Sequence, residues 1–215
     1  MHEKVPLVVA SRNKGKTAEI RDLLKGFPVL IKDLDDFGPI PEVSEDGDTF
    51  DENAYKKAGF AARILGYPAL ADDSGLVVES LGGRPGVHSA RYAGEHATDE
   101  DRCLKLLEEL GDNTNRKAAF NCVISIAVPT GAALTYEGRC EGRITTRPEG
   151  TNGFGYDPIF YSLEYQKTFA QLTMEEKSRI SHRGKALREF VSEFQKVLIW
   201  IRQQSPIPEK FDCKR

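Results

Sequence analysis

Pro68-Ala69-Leu70-Ala71-Asp72-Asp73-Ser74-Gly75-Leu76-Val77-Val78-Glu79 places two adjacent carboxylates and a hydroxyl between two short apolar runs. The first run reads as a strand over 68–71, the acidic Asp72-Asp73-Ser74-Gly75 as a turn at its exit, and 76–79 as the next strand. Strand exits are where α/β proteins place their ligands. Two like charges so close raise each other's pKa, and a divalent cation relieves that repulsion. Hard cations such as Mg²⁺ take oxygen ligands of this type. Asp, Ser and Gly are also turn formers, so taken alone the four residues fit a solvated turn and a metal site equally well.

Working outward, 5–10 is a β-type apolar run, the polar loop 11–15 follows, and Ile20, Leu23 and Leu24 recur at helical spacing, predicting a helix over 16–25. A second strand is expected near 29–31. From Asp33 to Glu52 there are nine acids and no base, interrupted by prolines and glycines that mark a loop. A helix over 49–65 turns Phe50, Ala54, Ala58, Ala61 and Ala62 or Leu65 inward. Downstream, Gly82-Gly83-Arg84-Pro85-Gly86 is a loop, and Thr98 or Asp99 caps a helix running to Leu110. A long strand spans 118–128, a hairpin at 129–131 leads into 133–137, and a further strand covers 138–146. A Gly-rich loop fills 149–157. Thr173-Met174-Glu175-Glu176 is a capping box, and a final helix carries Leu187, Phe190, Val191, Phe194, Val197, Leu198 and Ile201 on one stripe. No linker separates independent domains: 1–205 reads as a single domain and 206–215, with two prolines, as a frayed tail.

The chain has 215 residues, 40% of them apolar and 29% charged, with a formal net charge of -3. That composition is globular, and the charge gives no basic field for a long nucleic acid. Four scattered cysteines without a CxxC pair suit reduced thiols in a cytosol rather than a disulfide frame or a zinc site. No signal peptide is recognisable, and no apolar run approaches the roughly 20 residues needed to span a bilayer. The expectation is a soluble cytoplasmic protein with no membrane partner.

Four constellations carry chemistry. Ser11-Arg12-Asn13-Lys14-Gly15-Lys16 joins a strand to a helix start, where free amides and lysines attract phosphate; the Walker A pattern is disfavoured because Ala10 stands where it needs glycine. Glu42, Glu45, Asp46 and Asp48 of the acidic loop are within reach of a metal shared with Asp72 and Asp73, while Lys57, one helical turn after Asn53, points either to that site or to water. Phe154-Gly155-Tyr156-Asp157-Pro158 offers an aromatic to stack on a base and a carboxylate to read its edge, or a plain hydrophobic anchor. Lys177 with Ser181-His182-Arg183 gathers phosphate- or base-binding donors.

Together these blocks resemble the inosine triphosphate pyrophosphatase family, in its bacterial branch. The match is carried also by Thr49-Phe50-Asp51-Glu52-Asn53-Ala54, Leu81-Gly82-Gly83-Arg84-Pro85-Gly86 and Ser89-Ala90-Arg91-Tyr92-Ala93-Gly94, nearly end to end. The resemblance implies an elongated, two-lobed α/β fold with a long mixed sheet flanked by helices and a site in the cleft between lobes. It further implies homodimers and Mg²⁺-dependent cleavage of ITP, dITP and XTP to the monophosphate and pyrophosphate. By position, Asp73 is expected as general base and metal-linked carboxylate, Asp72 in support, and Glu45 as the second metal carboxylate, with Glu42 as its rival. Ser11, Arg12, Asn13, Lys14, Gly15, Lys16 and Lys57 would hold the triphosphate. Ser74, Phe154, Gly155, Tyr156, Asp157, Lys177, His182 and Arg183 would complete the nucleotide pocket. Arg12 departs from the glycine that the family often has there. The alternatives are a Maf-type pyrophosphatase for modified or pyrimidine nucleotides, over which the Ser-His-Arg and Phe-Gly-Tyr-Asp blocks favour the inosine type, and a non-catalytic nucleotide sensor, which would not need the acidic pair.

Overall fold

The computed structural model describes residues 4–204; the tail expected at 206–215 and Cys213 lie outside them. Twelve regular elements follow in the order β1 Val5–Val9, α1 Lys14–Leu23, β2 Val29–Asp33, α2 Phe50–Leu65, β3 Ala69–Val78, α3 Asp99–Leu110, β4 Lys117–Ala127, β5 Ala133–Ile144, β6 Phe160–Ser162, β7 Lys167–Thr168, α4 Met174–Ile180 and α5 His182–Gln204. The strands form one mixed sheet in the order β2-β1-β3-β4-β5-β6-β7. β1 runs parallel to β2 and β3, and every later pairing is antiparallel. The expected mixed α/β sheet flanked by helices is therefore what the chain forms.

Two expected breaks are not there. Asp72-Asp73-Ser74-Gly75 is no turn: it lies inside β3, which pairs residue for residue with β4 from Ala69↔Ala127 to Val78↔Ala118. Likewise 133–137 and 138–146 are one strand, β5. In both places a glycine in mid-strand marks close approach by another backbone rather than a turn. A Cβ on Gly75 would stand 2.5 Å from the Gly86 carbonyl oxygen, and one on Gly138 would stand 2.0 Å from that of His182. The acidic loop also contains a short 3₁₀ turn at Leu34–Phe37. The first helix starts two residues earlier than expected, because Asn13 caps it by accepting from Lys16 N at 3.2 Å.

Pleating sorts the side chains of β3 to two faces. On one face, Leu70 belongs to a core with Cys122, Ile124, Ile126, Tyr136 and the α5 stripe Leu187, Phe190, Phe194, Val197, Leu198 and Ile201. Farther along that face, Leu76 and Val78 join Phe120, Cys140, Ile144, Phe160 and Phe169 in a second core closed by α3. Between the two cores the same face carries Asp72 and Ser74. On the opposite face α2 lies close, its Ala58, Ala61 and Ala62 packed on Ala69, Ala71 and Ala127. The long strands thus span two hydrophobic centres, and the polar residues of β3 fall where one ends and the other begins.

β1 sets the opening beside them. It pairs with β3 only at Val8↔Ala69 and Val9↔Leu70, so the edge of β3 beyond Leu70 is left without a neighbouring ladder strand on that side. α4 brings Lys177 to the same region, and its start is a two-armed capping box. Thr173 N donates to Glu176 Oε2 at 2.8 Å while Thr173 Oγ1 accepts from Glu176 N at 3.2 Å. Loss of such a cap costs about 1 kcal/mol. Thr173→Ala is expected to destabilise the protein by that amount, read as a lower urea midpoint with an unchanged m-value.

Candidate active site

Consecutive strand residues point to opposite faces, and Asp72 and Asp73 accordingly have different partners. Asp72 Oδ2 accepts from Lys16 Nζ at 2.7 Å and lies 2.5 Å from Arg183 Nη1. Asp73 Oδ1 accepts from Lys57 Nζ at 2.8 Å, and its Oδ2 has only a long 3.5 Å contact with Asn53 Nδ2. The mutual repulsion expected of neighbouring carboxylates is not what governs them. Burial pushes the Asp72 carboxyl up, but Arg183 and Lys16 outweigh it and hold the group well below the ordinary carboxylate value. Burial also raises Asp73, and here the single ammonium of Lys57 does not restore it, because the like charge of Glu45 adds to the rise.

Lys57 is shared. Its Nζ bonds Asp73 Oδ1 and, at 3.2 Å, Glu45 Oε1. Burial alone would lower its pKa, yet Asp73, Glu45 and Asp72 together raise it. One cation therefore already sits between the two acids expected to hold a metal. Among the described residues no three His, Cys, Asp or Glu side chains gather as a ligand cluster, and Asp72 is not brought together with Asp73 and Glu45. Mg²⁺ is held by one or two carboxylates, with substrate phosphates and water completing its shell. Asp73 and Glu45 fit that donor set.

A cleft of about 620 Å³ opens over this edge, lined by Ser11, Arg12 and Lys16 on the β1–α1 side, Lys57 and Asp72 on its floor, and Glu42, Glu45, Arg91 and Glu95 opposite. Arg12 points outward from its loop and donates to the Ile40 carbonyl at 2.9 Å; Arg91 donates to the Glu45 carbonyl at 2.9 Å. The acidic segment is thus tied down as the far wall. Asn13 serves as the helix cap. Lys14 and Gly15 are exposed and do not line the cleft. Arg183 is turned to Asp72 and Glu19 rather than into a pocket.

A second cavity, about 190 Å³, adjoins along β3. It is lined by Ser74, Gly75, Phe120, Phe154, Gly155, Tyr156, Asp157, Lys177 and His182, with Ser89, Asp99 and Arg102 behind them. The His182 ring stacks on Phe120 with centroids 4.7 Å apart, and its Nδ1 is buried without a partner, as is Ser74 Oγ. Burial, with Lys177 and Arg183 nearby, lowers the His182 pKa to about 3, so the ring is neutral at physiological pH. Asp157 pairs with Lys177, whose ammonium also lies 4.7 Å from the centroid of Phe154. Phe154 itself is 73% exposed, so it is no hydrophobic anchor. A cleft lined by four cations and four carboxylates and an aromatic pocket with unsatisfied polar atoms thus meet on one strand.

The family model for the Ham1 family matches residues 7–193. The chain belongs to the Ham1 family. Its relatives include proteins named dITP/XTP pyrophosphatase from Desulfotalea psychrophila, 58% identical over 93% of this chain and 90% of that protein, and from Syntrophobacter fumaroxidans, 58% identical over 94% and 88%. Among solved structures, a HAM1 protein from Coxiella burnetii is 44% identical, covering 89% of this chain and 99% of its own, with a TM-score of 0.86. The resemblance drawn from the motif blocks is borne out.

Several Ham1 site neighbours were not legible beforehand. Phe120 carries no signal of its own, being an ordinary inward residue of a strand, and Asn53 lies in a quoted block, one turn before Lys57, without an assigned role. Arg91 lay in a quoted block without an assigned role. Arg102 and Glu95 carry common surface side chains, and only the fold brings them to the clefts.

Proposed function

We propose that this cleft hydrolyses the α–β phosphoanhydride of deaminated purine nucleoside triphosphates, ITP, dITP and XTP, releasing the nucleoside monophosphate and pyrophosphate and so clearing these nucleotides from the pool. The observation that carries the reading is the junction on β3 of a lysine-lined cleft and an aromatic pocket. The names of the Ham1 relatives support it. The homodimer and the cytoplasmic setting implied by the resemblance belong to the same proposal; buried free thiols at Cys103, Cys122 and Cys140 suit a reducing compartment.

The chemistry divides between the two pockets. Asp73 and Glu45 would hold Mg²⁺ together with substrate phosphate, and the ion when bound neutralises charge and makes a water more acidic. Asp73 Oδ2, the oxygen left without a strong partner, takes the proton from the water that attacks the α-phosphorus, and the bond to pyrophosphate breaks. Lys16 and Lys57, with the amides opening α1, stabilise the charge on the departing pyrophosphate. Arg183 and Asp72 hold Lys16 in place.

Base selection rests on the second pocket. Lys177 has donors only, which match a carbonyl at the purine 6-position and leave the amine of adenine without an acceptor. A site built on donors rejects a mismatched group because buried polar atoms are left unpaired. With Mg²⁺ and a panel of triphosphates, kcat/KM for ITP, dITP and XTP is expected to exceed that for dATP by at least about a hundredfold; GTP shares the 6-carbonyl and would have to be excluded through its 2-amino group. Equal efficiency across the panel would defeat the assignment.

A further inference from the structure

The loop that presents Phe154 is gripped by α3, whose Asp99 and Arg102 stand behind the cavity and have no step assigned in the chemistry above. Thr98 caps that helix, so the next residue, Asp99, is free to face elsewhere. Its Oδ2 accepts from Gly155 N at 2.7 Å, and Arg102 pairs with its other oxygen. One turn on, the Cys103 thiol donates to the Gly155 carbonyl at 3.3 Å. Both polar groups of one peptide-chain residue are therefore held by the first two turns of α3. Gly155 has φ +63, a left-handed conformation that glycine adopts without cost, so the loop can meet both donors and acceptors at this point. Arg102 is itself fixed, donating to the carbonyls of Ala90 at 2.9 Å and Ala97 at 2.7 Å.

We propose that Asp99 is a positioning residue for the base pocket, setting the height of Phe154 over the cavity through the Gly155 amide. The inference rests on the reading of this cavity as the base site and deepens it. Other ties on the loop do not replace this one. Tyr156 Oη donates to the Ser89 carbonyl at 2.9 Å, and Phe154 N donates to Asp157 Oδ2 at 2.9 Å. These fix the loop's far end and its internal turn, whereas Asp99, with the weaker Cys103 thiol contact, fixes the residue directly after the aromatic. Without it the phenyl ring loses its register over the base, while the phosphate cleft is untouched.

The test compares Asp99→Ala and Asp99→Asn with the unaltered protein. Asparagine keeps an acceptor for the Gly155 amide; alanine keeps none. The alanine variant is expected to raise KM for ITP about tenfold, as for loss of a hydrogen bond to a charged group, with kcat within about twofold. Asp99→Asn should recover most of that loss. Inorganic tripolyphosphate, which has no base, should inhibit all three proteins with the same Ki. An unchanged KM in Asp99→Ala, or a Ki for tripolyphosphate that rises in step with KM, would overturn the proposal. Failure of the unaltered protein to turn over ITP would instead overturn the reading of the site itself, and the inference with it.

Discussion

Asp73→Asn is expected to lower kcat for ITP about a thousandfold, in the range that positioned acid–base groups contribute, with KM changed only a few-fold. Asparagine has the same shape and can still accept from Lys57 through its side-chain oxygen. The buried ammonium keeps Glu45 as a second partner at 3.2 Å, so no isolated charge is left behind and the fold should survive. What disappears is the basic oxygen and one of the two carboxylates that fit Mg²⁺. The neighbouring Asp72→Asn should behave differently, because Asp72 organises Lys16 and Arg183 and faces away from Asp73. Steady-state kinetics with a thermal melt as control separates these outcomes. Asp73→Asn activity within tenfold of normal would remove Asp73 from the chemistry.

The second large effect concerns Gly138, two strands across the sheet from Ser74. The start of α5 rests directly on β5 there: an added Cβ would come within 2.0 Å of the His182 carbonyl oxygen and 2.7 Å of Ala186 N. Those are backbone atoms of a helix and cannot rotate aside. Overpacking of ordinary core side chains costs about 1–3 kcal/mol, and a backbone obstacle belongs at or above the upper end. Gly138→Ala is expected to lose about 3 kcal/mol of stability by urea denaturation. It should also move His182 and Arg183 and so depress activity at temperatures where the variant is still folded. A stable, fully active Gly138→Ala would show that α5 seats His182 in some other way.

The two substitutions also mark what the sequence made legible. Local patterns gave the elements well: the alanine face of α2, the apolar stripe of α5, Thr98 before α3 and the Thr173 capping box all depend on nearest neighbours in the chain. The motif blocks likewise named most of the residues that line the two clefts. The errors share one cause. By local signals Gly75 reads as a turn residue and Gly138 as the first residue of a new strand, whereas their purpose is set by Gly86 and His182, remote in sequence. Continuity of β3 then changed the meaning of Asp72-Asp73. Adjacent in the chain, they are separated by the pleat, and their pKa values are set by burial together with Arg183 and Lys16 on one face and Lys57 and Glu45 on the other. Tertiary partners of that kind, including Phe120 and the Asp99 grip on Gly155, leave no trace in spacing or composition.

The central claim is that water attacks the α-phosphorus of a deaminated purine triphosphate held across β3. Turnover of ITP with Mg²⁺ in ¹⁸O-labelled water tests it most directly, with the products separated and weighed by mass spectrometry. The account predicts one labelled oxygen in inosine monophosphate and unlabelled pyrophosphate. Label in pyrophosphate, or release of orthophosphate as the first product, would contradict it.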